Sequence, residues 1–92
     1  MIVQLRAFAK FEDILGRDLK VELEEGSTVR DLLDKLSTSH PRFRSAIFDE
    51  SGQVRKYVML MKNRKNIVSL SGLETRLSES DEVAIRPPLA GG

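Results

Sequence analysis

At 92 residues the chain can build one modest hydrophobic core and not two. Apolar residues at 40% and charged residues at 32% are the balance of a globular domain, not of a disordered or membrane-embedded chain. A net charge of +1, from 15 basic and 14 acidic residues mixed along the chain, creates no field that would hold nucleic acid or an anionic membrane, so neither is an expected partner.

There is no cysteine, which removes disulfides, thiolate metal sites, iron–sulfur ligation and cysteine nucleophiles. The longest apolar run, Tyr57 to Met61, is far short of the roughly 20 residues of a bilayer span. Met1 to Arg6 has no charged segment leading into a long apolar stretch, so no secretory signal is expected and the expected location is cytoplasmic.

Ile2 to Phe8 alternates Val3, Leu5 and Ala7 with Gln4 and Arg6, the pattern of a strand with one buried face. Phe11, Ile14 and Leu15 recur at helical spacing before Gly16, predicting a short helical turn closed by a glycine at positive φ. A second strand follows over about Asp18 to Leu23, facing Leu19, Val21 and Leu23 inward, and Glu24-Glu25-Gly26 leads out of it. The main helix starts at Thr28, whose hydroxyl can cap the amide of Asp31. It aligns Val29, Leu32, Leu33 and Leu36 on one stripe, and Pro41 stops it by His40.

From Arg42 to Lys56 the pattern weakens to one helical turn around Phe43, Ile47 and Phe48, and a turn at Asp49-Glu50-Ser51-Gly52. Tyr57 to Lys62 is a strand apolar on both faces, which implies a central place in the sheet or a free face covered by a partner. A turn at Asn63 to Asn66 and a short edge strand at Ile67 to Leu70 come next. Gly72 to Leu77 forms a tight turn that plugs the core with Leu73 and Leu77. The last strand, Glu82 to Arg86, buries Val83 and Ile85 before Pro87-Pro88 ends the ladder.

The order β, β, long α, β, short β, β predicts an α+β domain. Its mixed four- to five-stranded sheet carries one main helix on one face, the β-grasp arrangement. The domain is expected over residues 1–86 with a flexible tail over 87–92. The sheet face away from the helix is left uncovered. Strand alternation puts Phe8 and Arg6 there, with Arg86 and one of Met59 and Met61 beside them. Pliable methionine next to an aromatic ring suits a recognition surface.

The tail reads Pro87-Pro88-Leu89-Ala90-Gly91-Gly92. A terminal Gly-Gly arises by chance about once in 200 chains, so its context decides. Two prolines make a stiff extended exit, and the strip reaches at most about 20 Å without bulky side chains, suiting a narrow channel. Glycine alone lets an enclosing site approach the backbone on all sides. A frayed end without a role is the competing reading.

The segments Arg6-Ala7-Phe8-Ala9-Lys10-Phe11, Ile14-Leu15-Gly16, Thr28-Val29-Arg30-Asp31-Leu32-Leu33, Gly72-Leu73-Glu74-Thr75-Arg76-Leu77 and Asp81 to Pro88 occur in this order ahead of Ala90-Gly91-Gly92. Together they resemble the MoaD/ThiS family of ubiquitin-like sulfur carriers over nearly the whole chain. The resemblance is to the MoaD branch, which includes the small subunit of molybdopterin synthase and the archaeal small modifier proteins.

The resemblance implies a non-catalytic carrier whose Gly92 carboxylate is converted to an acyl adenylate by a ubiquitin-activator-like adenylating enzyme. A sulfur donor then displaces AMP to leave a thiocarboxylate. In the molybdopterin branch the tail enters the large subunit of molybdopterin synthase, with Gly91 and Ala90 lining the channel and Pro88 and Leu89 guiding the tail in. The alternative is a protein modifier joined through Gly92 to lysines of target proteins. Sulfur supply to tRNA thiolation, thiamin or cysteine synthesis is a further route, and a passive ubiquitin-like binding module a third class. The family often has glycine where this chain has Arg64 and Ser80, which bears on turn geometry.

No cofactor is expected to be bound stably. No metal-ligand spacing and no glycine-rich phosphate loop is present, so ATP belongs to the activating enzyme. His40, the only histidine, has no fixed partner that would make it a general base. The basic cluster Arg55, Lys56, Lys62, Arg64 and Lys65 reads as a solvated turn, with docking of an acidic partner or RNA as the alternative.

Overall fold

Alternation along the first strand decides which side of the sheet becomes the interior. In the computed structural model, which describes residues 1–87, strand β1 (Ile2–Ala7) buries Val3, Leu5 and Ala7 and turns Ile2 and Arg6 outward. Helix α1 (Lys10–Leu15) buries Phe11 and Leu15, and Gly16 ends it at φ +91°, where a residue without a Cβ is unstrained. Strand β2 (Asp18–Glu22) then returns antiparallel to β1, setting Val3 opposite Val21 and Leu5 opposite Leu19.

Helix α2 (Val29–Ser39) begins at the predicted cap. The Thr28 hydroxyl accepts from the Asp31 amide at 3.3 Å, and the Asp31 carboxylate accepts from the Thr28 amide at 2.9 Å. This reciprocal pair satisfies two amides that a helix start otherwise leaves bare. Val29, Leu32, Leu33 and Leu36 are all buried.

The single helical turn expected around Phe43 is instead a seven-residue helix, α3 (Pro41–Ile47). Pro41 occupies its first position, where the missing N–H would have had no partner, so one ring both stops α2 and starts α3. The periodic signal was weak because Phe43 and Ile47 are its fully buried residues and Arg42, Arg44 and Ser45 are exposed. The turn that follows is as predicted. The Asp49 carboxylate accepts from the Ser51 hydroxyl and from the amides of Gln53 and Ser51, which hold it below the usual carboxylate range.

Strands β3 (Met59–Lys62), β4 (Lys65–Asn66) and β5 (Glu82–Arg86) complete a five-stranded sheet in the order β2-β1-β5-β3-β4. The β1–β5 pair is parallel and the others are antiparallel. The centre is β5, not β3, so a central position does not explain why β3 is apolar on both faces. The expected edge strand over Ile67 to Leu70 is also displaced. The edge is Lys65–Asn66, and Ile67–Ser69 is a 3-10 turn in which the Asn66 side chain accepts the Val68 amide at 2.9 Å. That local bond competes with a ladder bond. Of the two predicted plugs, Leu77 is buried and Leu73 is partly buried against the core.

Helices α1, α2 and α3 cover one face of the sheet; Phe11 and Phe43 meet edge to face at 6.1 Å in the core. The opposite face carries no helix among the described residues.

Two residues flagged by the family resemblance are strained. Arg64 (φ +70°) follows Asn63 (φ +48°) in the two-residue loop between β3 and β4, and Ser80 stands at φ +69° before β5. A loop with two positive φ angles favours Asn-Gly, and a side chain beyond Asn is penalised there. Arg64→Gly and Ser80→Gly are each predicted to stabilise the domain by about 0.5–1 kcal/mol in urea titrations, after the larger unfolded-state entropy of glycine is deducted.

Asp81 ties the loop to β5. Its carboxylate accepts from Asn63 Nδ2 at 2.8 Å and from the Ser78 amide at 2.7 Å, and lies 3.6 Å from Lys62 Nζ. Burial raises its pKa, but the bonds from Asn63 and Ser78 and the Lys62 charge outweigh that and leave it below the usual carboxylate range. A depressed folded pKa gives stability that is present above the unfolded value and lost as pH falls through the folded one. Asp81→Asn is therefore predicted to cost about 1–2 kcal/mol at neutral pH and to lose that deficit progressively as pH falls below the unfolded carboxyl value of about 3.9, read from urea midpoints across pH.

Candidate functional site: the helix-free sheet face and the end of the last strand

Three strands aim side chains at the uncovered face through their register. Arg6 pairs with Ala84, Ala84 with Met61, and Arg86 with Met59, so these five share one side. Phe8 lies one residue beyond β1, where its amide donates to the Ile85 carbonyl at 3.1 Å and keeps it in step with Arg86. A hollow of about 260 Å³ opens among Arg6, Phe8, Met61, Arg64, Glu82, Ala84 and Arg86.

The hollow is apolar at its floor and charged at its rim. The Arg86 guanidinium lies 5.1 Å from the centre of the Phe8 ring, within cation–π range. Arg6 Nε is 3.2 Å from Asp18 and 3.8 Å from Glu82, which neutralise it and hold it upright. Arg64 and Arg86 have no carboxylate at ion-pair distance among the described residues. The rim is therefore net basic.

The structure brings together four of the predicted face residues, Arg6, Phe8, Met61 and Arg86. Met59 shares the face by parity but lines the adjoining groove at the start of β3 rather than this hollow. Sequence reasoning missed Arg64, Glu82 and Ala84 as members. Glu82 and Ala84 were legible from the alternation of β5. Arg64 required the two-residue loop, which Asn63 hinted at without the usual glycine.

The basic cluster is not one patch. Lys62 is bound by Asp81 and by the Arg76 carbonyl at 3.1 Å, and Arg55 donates to the Ser45 carbonyl, while Arg64 belongs to the hollow. His40 stands at the junction of α2 and α3, half-buried with Nδ1 unpartnered, and away from the sheet face. Among the described residues no group of three or more His, Cys, Asp or Glu is arranged to hold a metal, and no helix is long and apolar enough to cross a membrane.

The last strand ends at Arg86 on the rim of the hollow, and Pro87 is exposed beyond it. The predicted tail residues Pro88, Leu89, Ala90, Gly91 and Gly92 lie outside the described residues.

Known proteins share both this architecture and this sequence pattern. Small archaeal modifier protein 3 of Haloferax volcanii is 32% identical over 93 residues, covering 100% of both chains. The crystal structure of SAMP1 from Haloferax volcanii superposes with a TM-score of 0.85 at 27% identity and covers 100% of each chain. A Pyrococcus furiosus structure, provisionally described as molybdopterin converting factor subunit 1, has a TM-score of 0.78 at 26% identity, covering 97% of this chain and 99% of that one. The sequence pattern described as the ThiS family matches residues 5–92, from the middle of β1 through the terminal Gly91-Gly92. With that match and a β-grasp sheet bare on one face, the chain belongs to the ThiS/MoaD family of ubiquitin-like sulfur carriers and modifiers.

Proposed function

We propose that this protein is a sulfur carrier that works through the Gly92 carboxylate, with the helix-free hollow as the docking surface for its enzymes. The observation that supports the reading is the extent of the family match, which runs from residue 5 to Gly92 and so spans the glycine pair. A carboxylate is a poor electrophile. An adenylating enzyme would use ATP to form an acyl adenylate at Gly92 with release of pyrophosphate, and hydrosulfide-level sulfur from a donor would then displace AMP to leave a thiocarboxylate; a persulfide donor would give an acyl disulfide that a thiol then reduces. With no cysteine in the chain, no side-chain thiol competes for the cargo.

Delivery to molybdopterin synthesis, with catalysis in a large partner subunit, is supported by the likeness to the Pyrococcus furiosus chain. The names of the Haloferax relatives favour a second reading, in which a target lysine rather than sulfur attacks the adenylate and an isopeptide bond forms. Mass spectrometry of the protein from its native host separates the two. An oxygen-to-sulfur mass gain on the terminal glycine supports the carrier, and Gly92 remnants on lysines of other proteins support the modifier. Finding neither during growth that demands the sulfur product would refute both.

The docking surface has its own test. Phe8→Ala should leave the melting curve nearly unchanged, because the ring is half-buried. It should weaken binding to the adenylating enzyme by about 1–2 kcal/mol, roughly five- to thirtyfold, by calorimetry. Unaltered affinity would remove the hollow from the interface.

A further inference from the structure

A second surface adjoins the hollow at the start of β3. Strand β4 has two residues, and the chain then bends into the Ile67–Ser69 turn. The start of β3, paired with β5 on one side, is thus left without a strand on the other, as is the segment leading into it. The result is a groove of about 440 Å³ whose apolar wall includes Tyr57, Val58, Leu60, Ile67, Val68 and Leu73. Tyr57 is 41% and Val68 82% exposed, and Leu70, next in the same loop, is 40% exposed. Of the exposed large apolar residues only Ile2 lies elsewhere, among the described residues. Single exposed apolar side chains are ordinary, but a cluster beside a groove marks a contact surface.

The charge is one-sided. Arg55 and Lys56 are the charged residues of the groove wall, and no acid lines it among the described residues. Arg55 donates to the Ser45 carbonyl at 3.2 and 3.1 Å, a neutral acceptor that leaves its charge in place. Glu74, beside Leu73, is engaged by Arg30 at 3.3 Å.

We infer that this groove docks a segment of a partner protein that presents apolar side chains flanked by carboxylates. Carboxylates at the rim meet Arg55 and Lys56, and the apolar centre covers Val68 and Tyr57. A second copy of the chain is disfavoured, because a symmetric contact would bring these cations against their own copies. RNA is disfavoured because the wall is mainly aliphatic. Tyr57, the one aromatic ring of the wall among the described residues, is tethered through its hydroxyl to Lys10 Nζ at 2.6 Å, and one ring is too little to stack successive bases. The surface is independent of Gly92 chemistry.

The test titrates the full isotope-labelled chain, by NMR, with three synthetic peptides and with oligouridylate. One peptide has a Leu-Val-Ile centre with Asp and Glu flanks, one the same centre with Lys flanks, and one the acidic flanks around a Ser-Gly centre. The acidic apolar peptide should shift the amides of Tyr57, Val58, Val68 and Leu73 and bind about tenfold tighter than either control. Val68→Asp and Lys56→Glu, both at exposed positions, should each weaken it about tenfold without changing the melting temperature. Absence of shifts at the groove, equal binding of the control peptides, preference for oligouridylate, or self-association abolished by Val68→Asp would each overturn the proposal. Gly92 activation should be unchanged in both variants, so this result and the carrier reading stand or fall separately.

Discussion

Removing Gly91 and Gly92 is expected to abolish adenylation of the protein while leaving its melting curve unaltered. The two effects separate because every core residue among the described residues lies between Val3 and Ile85, whereas the proposed chemistry is confined to the terminal carboxylate. A shortened chain would end on Ala90, whose Cβ meets the walls of a site built to close on bare backbone. A subtler variant, Gly91→Val, keeps the carboxylate and tests the same argument. Misplacing a reacting atom by about 1 Å costs on the order of a hundredfold, so a loss of that size is expected in ATP–pyrophosphate exchange. Full exchange activity in the shortened chain would show that the carboxyl end has no such role.

Phe43→Ala is expected to be the most damaging of the core substitutions. The ring is fully buried on α3 and meets Phe11 on α1 edge to face. Its loss opens a cavity where two helices close over the sheet, for which about 3–5 kcal/mol is the usual cost. A domain of this size commonly has only about 5–15 kcal/mol in total, so the variant should be partly unfolded near physiological temperature. Urea titration with circular dichroism checks it. A cost below about 1.5 kcal/mol would mean that α3 repacks or contributes little to the fold.

That α3 matters so much was hard to read from the residues. Its core signal is carried by Phe43 and Ile47, and it follows a proline that reads first as a stop. The same ambiguity displaced the edge strand. Ile67, Val68 and Leu70 have strand composition, yet Asn66 supplies a side-chain acceptor that bends the chain at once. In both places a local backbone choice, invisible to apolar periodicity, overrode the pattern.

The hollow was half legible. Alternation in β1 and β5 assigns Arg6, Phe8 and Arg86 to the uncovered face without coordinates, because side chains on a strand change sides at every residue. Which residues of different strands become neighbours depends on register. Met61 reaches the hollow because it pairs with Ala84, whereas Met59, two residues earlier, faces the groove. The strain at Arg64 and Ser80 was signalled by the resemblance as missing glycines, but its cause, a positive φ, is a property of the folded backbone.

By itself the sequence determined four of the five strands, the capped main helix, the inward stripe, the absence of any thiol and the glycine-ended tail. Each is set by residues close together in the chain, through alternation, capping or composition. Only the tertiary structure decided that β5 takes the centre of the sheet, that Arg64 joins Phe8 and Arg86 at one rim, and that a basic-edged groove opens where β4 ends. These depend on contacts between residues tens of positions apart, and no local pattern encodes which distant strand becomes a neighbour.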